Sequence, residues 1–253
     1  MNAIPSRGPY QGVVQILQFN WRSYVATAGA VGAALLALPF LPSPCRTVLL
    51  LGAAPALFWL ISSLMVSHYV YDRSPLYDLN WVCPTLSRAP RRWINFHCGL
   101  DETSAILAAI FPDAASQVVD IFDPLAMTET SIQVARRVKH HTIPSTSMRY
   151  DSLTFPAESF DAAFSFFAAH ELRQHDQRVR LFREIVRTLT SDGEFILIEH
   201  SRDWRNFLAF GPGFLHFFSQ RAWRKAASDG GLTVRTELSI TPFVHVYVLR
   251  RAT

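Results

Sequence analysis

Two long apolar runs set the N-terminal quarter of the chain apart. Ser23 to Leu41 is 19 residues without a charge, and Thr47 to Ser67 is 21 more. A helix rises ~1.5 Å per residue, so each run is long enough to cross a hydrocarbon core of ~30 Å. PSPCR lies between them, and two prolines in five residues predict a tight reversal. Pro39 and Pro55 fall inside the runs, which membrane helices tolerate better than soluble ones. The pattern predicts a flank over 1–22 and a transmembrane helical hairpin over 23–67. A hairpin buried in a soluble core is the plainer alternative, but two adjacent charge-free runs of this length rarely fit one core. A cleaved signal peptide fits less well, because the first run starts late and a second follows directly.

Residues 68–90 carry Tyr69, Tyr71, Tyr77 and Trp81 directly after the second run. They read as an interfacial linker lying along the headgroups. From Arg91 to the C-terminus the pattern becomes that of a globular domain. RRWINFHC, QVVDIF, HHTIPS, FDAAFSFFAA and SDGEFILIEH read as successive strands. Asp101 to Phe111, Thr128 to Arg137, Gln177 to Leu189 and Gln220 to Ser228 read as helices. Phe182, Ile185, Val186 and Leu189 recur at helical spacing. LTVRTELSI and FVHVYVLRR close the chain as two strands. Strands alternating with helices predict an α/β domain whose mostly parallel sheet is covered on both faces. The final strand pair, in hairpin order, predicts one antiparallel strand at the end of that sheet.

Composition sharpens the division. Hydrophobic residues make up 49% and charged residues only 17%, with a mean hydropathy of +0.13, and the apolar excess sits in the N-terminal runs. The net charge is +4 and almost all of the positive charge is arginine, Lys139 and Lys225 being the only lysines. The arginines are scattered, without the basic stripe and interleaved aromatics of a nucleic-acid surface, so no nucleic-acid partner is expected. Arg46 stands alone in the short loop. Arg7 and Arg22 precede the hairpin, and Arg73, Arg88, Arg91 and Arg92 follow it. By the positive-inside rule, both ends face the cytoplasm of an integral membrane protein with two spans. The three cysteines have no CxxC spacing and their number is odd, which suits a reducing compartment.

Two signatures in the central part carry a resemblance. In LTFPAESFDAAFSFFAAHEL, Phe155, Ser159, Phe160 and Asp161 match an "LPF-x-x-x-SFD" segment. In RLFREIVRTLTSDGEFILIEH, Arg187, Leu189 and Gly193 match "R-x-L-x-x-x-G". Both stand in the right order and at the right distance. From about Arg91 onward the chain resembles a class I S-adenosylmethionine-dependent methyltransferase. The resemblance implies a Rossmann-like sheet with the last strand antiparallel, and S-adenosylmethionine as cofactor.

The family's cofactor loop is an acidic residue followed by G-x-G-x-G at the end of the first strand. In INFHCGLDETSAIL, Asn95 stands for the acid, His97 for the first glycine and Asp101 for the last, and only Gly99 keeps its glycine. Glycines serve there because the cofactor comes close to the backbone. The resemblance makes His97, Cys98 and Gly99 cofactor contacts, with Asp101 or Glu102 as a carboxylate for the amino group. The acid that holds the ribose is Asp120 or Asp123, with Asp120 preferred. Asp151 and Ser152 match the adenine position, and Phe166, Phe167 and Ala168 flank the methionine part.

Ligands in open parallel sheets bind at the carboxyl ends of the strands. The fourth and fifth strands end in His170-Glu171 and Glu199-His200, which therefore stand nearest the acceptor. His170 is the first candidate for a base, because histidine titrates near neutral pH; His200 and Glu171 are next. The HE…EH spacing matches no metal-ligand motif, so no metal is expected. His140-His141 reads as a surface pair. RDWRNFLAFGPGFLHFFSQ, rich in phenylalanine, suits an apolar acceptor pocket or membrane contact, and core packing of the last helix is the plain alternative. These readings give a membrane-anchored methyltransferase of a hydrophobic small molecule or lipid, with O, N, S and C all open as the methylated atom. The rival is a non-catalytic relative that binds a ligand or partner at the membrane, motivated by the missing glycines.

Overall fold

The computed structural model describes residues 7–138 and 143–252. Helix α1 spans Gln11–Ala37 and helix α2 spans Ser43–His68, and the two pack side by side. Helix α1 kinks at Asn20, whose φ of −118° and ψ of 17° are not helical. Leu38–Phe40 forms a 3₁₀ turn around Pro39, and Pro44 sits in the first turn of α2, where a proline costs no hydrogen bond. The reversal predicted at PSPCR is thus built from Leu41 and Pro42. Both helices are long and apolar enough to cross a membrane, and only 6% of each apolar window is buried. Leu36, Phe40, Val48 and Leu51 all point outward. A core hairpin would bury such positions.

Short helix α3 spans Val82–Thr85, and the α/β domain follows. Its elements are β1 (Arg92–His97), α4 (Ser104–Ile110), β2 (Ala115–Asp120), α5 (Thr130–Ala135), β3 (Thr146–Ser147), β4 (Phe160–Phe166), α6 (His175–Thr188), β5 (Leu189–His200), α7 (Trp204–Phe210), α8 (Gln220–Asp229), β6 (Leu232–Thr241) and β7 (Val244–Arg251). The seven strands order as β3-β2-β1-β4-β5-β7-β6. The β3-β2-β1-β4-β5 run pairs in parallel, and β7 runs antiparallel between β5 and β6. This is the predicted mostly parallel sheet with the last strand antiparallel, but that strand is inserted between β5 and the edge strand β6 rather than lying at the end of the sheet. His97 aligns with Asp120 across β1 and β2, and Phe166 with Ile198 across β4 and β5, so the carboxyl ends form one rim.

Strand β5 reads as an unbroken apolar run because both of its faces are covered. Phe195 and Leu197 pack against Phe182, Ile185 and Trp223 of α6 and α8. Ile196 and Ile198 face the other way, with Trp93, Phe164 and Leu107. Two signature motifs have plain structural work. The Arg187 guanidinium donates to the carbonyls of Leu153 and Phe155 at 2.8 Å each, fastening the loop before β4 to α6. The Asp161 carboxylate accepts from the backbone N–H groups of Arg91 and Arg92 at 2.9 Å, fixing the start of β1.

Two expectations need revision. Residues 68–90, read as lying along headgroups, are part of the domain core. Val70, Leu76, Leu79 and Val82 are fully buried against the sheet, and Ser87 is held by Glu194 at 2.7 and 2.8 Å. The first half of the strand predicted at HHTIPS lies outside the described residues, and among the described ones the strand is the two-residue β3 just beyond it. His140 and His141 lie outside the described residues.

Candidate active site

The rim of the sheet opens into a cavity of about 1130 Å³. Strand ends and the loops after them form one wall. Helices α1 and α2 form another, through Asn20, Tyr24, Trp59 and Ser63.

The loop after β1 is tied largely to itself. The Asp101 carboxylate accepts from the backbone N–H groups of Thr103 and Ser104 at 3.1 and 3.0 Å, capping α4. Asn95 donates to Ser104 Oγ at 2.8 Å and to Thr103 Oγ1 at 3.1 Å. Nδ1 of His97 accepts from Gly99 N–H at 3.0 Å. Cys98 is buried, and burial pushes its thiol well above the usual range. Glu102 is claimed by the N-terminal flank: Arg7 lies 2.6 Å away, with Gln11 and Gln15 donating at 2.6 and 2.9 Å. Both acids proposed for the cofactor's amino group thus already have partners within the chain. His97, Asp101 and Glu102 line the cavity.

Gly99 has φ +120°, a conformation only glycine adopts without strain, and a Cβ there would overlap the side chain of Arg136. Arg136 lies across the loop. Its Nη1 reaches Asp120 at 2.9 and 3.0 Å and the Cys98 carbonyl at 2.9 Å, while its guanidinium covers the Phe122 ring at 4.0 Å. Asp120, Gly99 and Cys98 therefore stand together beneath one cation. The other positions do not join them. Asp123 caps the N–H of Leu125 in an outer turn at 2.9 Å. Asp151 pairs with Arg149 at 3.0 Å, beside the exposed Ser152.

The ends of β4 and β5 are more ordered than the sequence suggested. Both oxygens of Glu199 hold His170: Oε1 accepts from its backbone N–H at 3.2 Å and Oε2 from Nδ1 at 2.8 Å. Nε2 of His170 then faces Glu171 at 3.4 Å, and the ring meets that of His216 edge-on at 5.2 Å. Burial alone would lower the His170 pKa, but the two carboxylates outweigh it and push it up to about 10. At neutral pH, without further partners, this histidine is an imidazolium rather than the neutral base expected. His216 is neutral, pushed down to about 3 by burial and by the cations near it.

His200 is fully engaged. Its Nδ1 donates to the Phe243 carbonyl at 2.9 Å, so Nε2 accepts from the Tyr71 hydroxyl at 2.7 Å. The ring is stacked between Phe167 at 5.2 Å and Phe217 at 4.7 Å. Phe167 has φ +50°, a strained value for a bulky residue, at the turn where β4 leaves the sheet. Phe166 is half-buried under Trp81. In the aromatic stretch after β5, Phe217 lines the cavity, while Trp204 and Leu215 stay exposed. Sequence reasoning missed Tyr71, Arg136 and His216. Only His216 left a trace, as a lone titratable residue inside a run of phenylalanines.

Residues 96–197 match the family model described as a methyltransferase domain. Among curated proteins, none matches the chain. Among solved structures the chain is similar to the mitomycin 7-O-methyltransferase MmcR, at 16% identity over 97% of this chain and 74% of that one, with a TM-score of 0.53. It is similar to an S-adenosylmethionine-dependent methyltransferase from Aquifex aeolicus, at 14% identity over 69% and 90% of the two chains, with a TM-score of 0.52. The geranyl diphosphate C-methyltransferase from Streptomyces coelicolor A3(2) gives 13% identity over 76% and 82%, with a TM-score of 0.51. At these identities the likeness is one of fold, and together with the domain match over residues 96–197 it supports an S-adenosylmethionine-dependent methyltransferase enzyme.

Proposed function

We propose that the protein is a membrane-anchored methyltransferase that draws a hydrophobic small molecule or lipid from the bilayer, with its catalytic domain on the cytoplasmic side. One observation carries the proposal. The cavity at the strand ends is walled in part by the two apolar helices themselves, so it borders both the cofactor loop and the region those helices would occupy in a membrane. A soluble acceptor would need no such wall. Trp204, Leu208 and Leu215, exposed beside α2, extend the apolar surface around it.

The chain offers part of a cofactor site: Gly99 at the tip of β1, and Asp120 with a carboxylate for ribose hydroxyls at the end of β2, both under Arg136, which the cofactor must displace. S-adenosylmethionine supplies a methyl group on a sulfonium sulfur. The chain's own task is to align the acceptor and exclude water. The Phe167, His200 and Phe217 stack gives the acceptor an apolar wall. The polar wall is His170, Glu171 and Glu199. The carboxylate of Glu171, whose Oε2 is buried without a hydrogen-bond partner, takes the proton of an O–H or N–H acceptor. The imidazolium beside it keeps that carboxylate ionised against the cost of burial.

The test is calorimetric titration of the detergent-purified full chain with S-adenosylmethionine and S-adenosylhomocysteine, followed by transfer of a radiolabelled methyl group in bacterial membrane extract. Micromolar binding and label in the organic phase are expected. Folded protein that binds neither compound rules the cofactor out; label that stays in the aqueous phase rules out the hydrophobic acceptor.

A further inference from the structure

Beside the cofactor loop, three side chains converge from two separate segments. His170 and Glu171 come from the turn after β4, and His216 from the 3₁₀ segment Gly211–His216. One ligand atom from each lies within 4.8 Å of the others. The three line the same cavity.

Each donor is prepared. Glu199 takes Nδ1 of His170 and leaves Nε2 pointing at the cluster, the arrangement by which a carboxylate orients a metal-binding imidazole. Among the described residues, neither ring nitrogen of His216 has a hydrogen-bond partner, and Arg173 fixes its carbonyl at 2.8 Å, and with it the backbone that carries the ring. The Glu171 side chain is 92% buried by its 8% exposure, and Oε2 has no partner. A carboxylate oxygen left bare at such depth is costly unless something meets it. Glu171 and Glu199 together carry the two negative charges that balance a dication.

We propose that His170, Glu171 and His216 bind a divalent transition-metal ion of the zinc type, with Glu199 as the residue that positions His170. Two nitrogens and one oxygen form a borderline donor set, which favours zinc, cobalt or iron over magnesium or calcium. The ion displaces the proton from Nε2 of His170. Glu171 needs to give only one oxygen, so the other stays available to the acceptor. Three protein ligands leave positions toward the cavity for water or an acceptor oxygen, as in metal sites that do chemistry. That role rests on the methyltransferase reading, but the binding does not.

The experiment reads the metal without the cofactor. Full chain free of any histidine tag is stripped with a chelator in detergent and titrated with Co²⁺, following the visible absorption of the bound ion and the stoichiometry after dialysis. One ion per chain with a tetrahedral or five-coordinate cobalt spectrum is expected. His216→Gln and Glu171→Gln should each weaken binding at least ~10-fold, and Glu199→Gln by ~10-fold or more through His170. Circular dichroism and the denaturant midpoint of each variant report folding separately. His216→Ala serves if the glutamine variant fails to fold. Substoichiometric binding to folded protein, or affinity unchanged in both ligand variants, overturns the site. Loss of S-adenosylhomocysteine binding by the unmodified chain with the cobalt spectrum intact would overturn the methyltransferase reading and leave the metal site standing.

Discussion

The Tyr71 hydroxyl donates to Nε2 of His200 at 2.7 Å, joining the segment behind the second apolar helix to the last residue of β5. The bond fixes the His200 tautomer, because Nδ1 is already spent on the Phe243 carbonyl. His200 is buried, so Tyr71→Phe leaves Nε2 without a partner. The expected cost is about 1–3 kcal/mol, the penalty for orphaning one buried polar group. Denaturant unfolding of the detergent-solubilised chain measures it. An unchanged midpoint would mean that water replaces the hydroxyl and that this link does not couple the two parts.

Arg136 competes for the place a ribose would take. It neutralises Asp120 and covers Gly99, and in the proposed reading both must be free for the cofactor. Arg136→Ala is expected to tighten S-adenosylhomocysteine binding by about 3- to 10-fold, a gain of ~1 kcal/mol for a half-exposed pair. Asp120→Asn is expected to weaken it at least ~10-fold. Calorimetry on both variants decides. Weaker binding in Arg136→Ala would make the arginine a cofactor contact rather than a cover.

The sheet was legible because its strands announce themselves. FDAAFSF and EFILIEH are apolar on both faces, and α6 shows its buried stripe at helical spacing. The aromatic segment over 68–90 was misleading for a physical reason. Tyr and Trp suit any boundary with an apolar side and a wet side, so Tyr77 and Trp81 look the same at a membrane surface and against a sheet. Strand β3 carried no pattern because two edge residues need none. The partners of the acids after β1 could not be read from the sequence. Asp101 serves the cap two residues on, a local event, whereas the partners of Glu102 lie about ninety residues upstream at Arg7 and Gln11. The cluster of His170 and His216 depends on a loop returning to the strand rim, which no spacing in the sequence encodes.

Acid should destabilise the fold through His200. Burial, with weaker help from His170 and His245, pushes its pKa down to about 4, against about 6.5 in the unfolded chain. Tyr71, Phe167, Phe217 and Phe243 surround the ring and offer it no counter-charge. Between those values the unfolded chain binds a proton that the folded one refuses, so stability falls as pH drops from about 6.5 to about 4. The full contribution is roughly 3 kcal/mol. Urea unfolding across this range measures the limb, and His200→Gln should flatten it. A limb of the same slope in that variant would assign the acid sensitivity to other groups.

The native cysteines report the topology without any substitution. Cys45 lies in the first turn of α2, next to the reversal between the two apolar helices, and is exposed, Cys83 is exposed on the domain side, and Cys98 is buried. A hairpin that crosses the bilayer twice puts Cys45 on the side opposite Cys83. A membrane-impermeant maleimide added to intact spheroplasts should therefore label Cys45 and spare Cys83, and in inverted vesicles the preference should reverse. Peptide mapping distinguishes the two sites, and Cys98 should react only after unfolding. Labelling of both exposed cysteines from the same side would show that the hairpin lies in one leaflet or outside the bilayer. The cavity would then open to water, and an acceptor delivered from the membrane would lose its support.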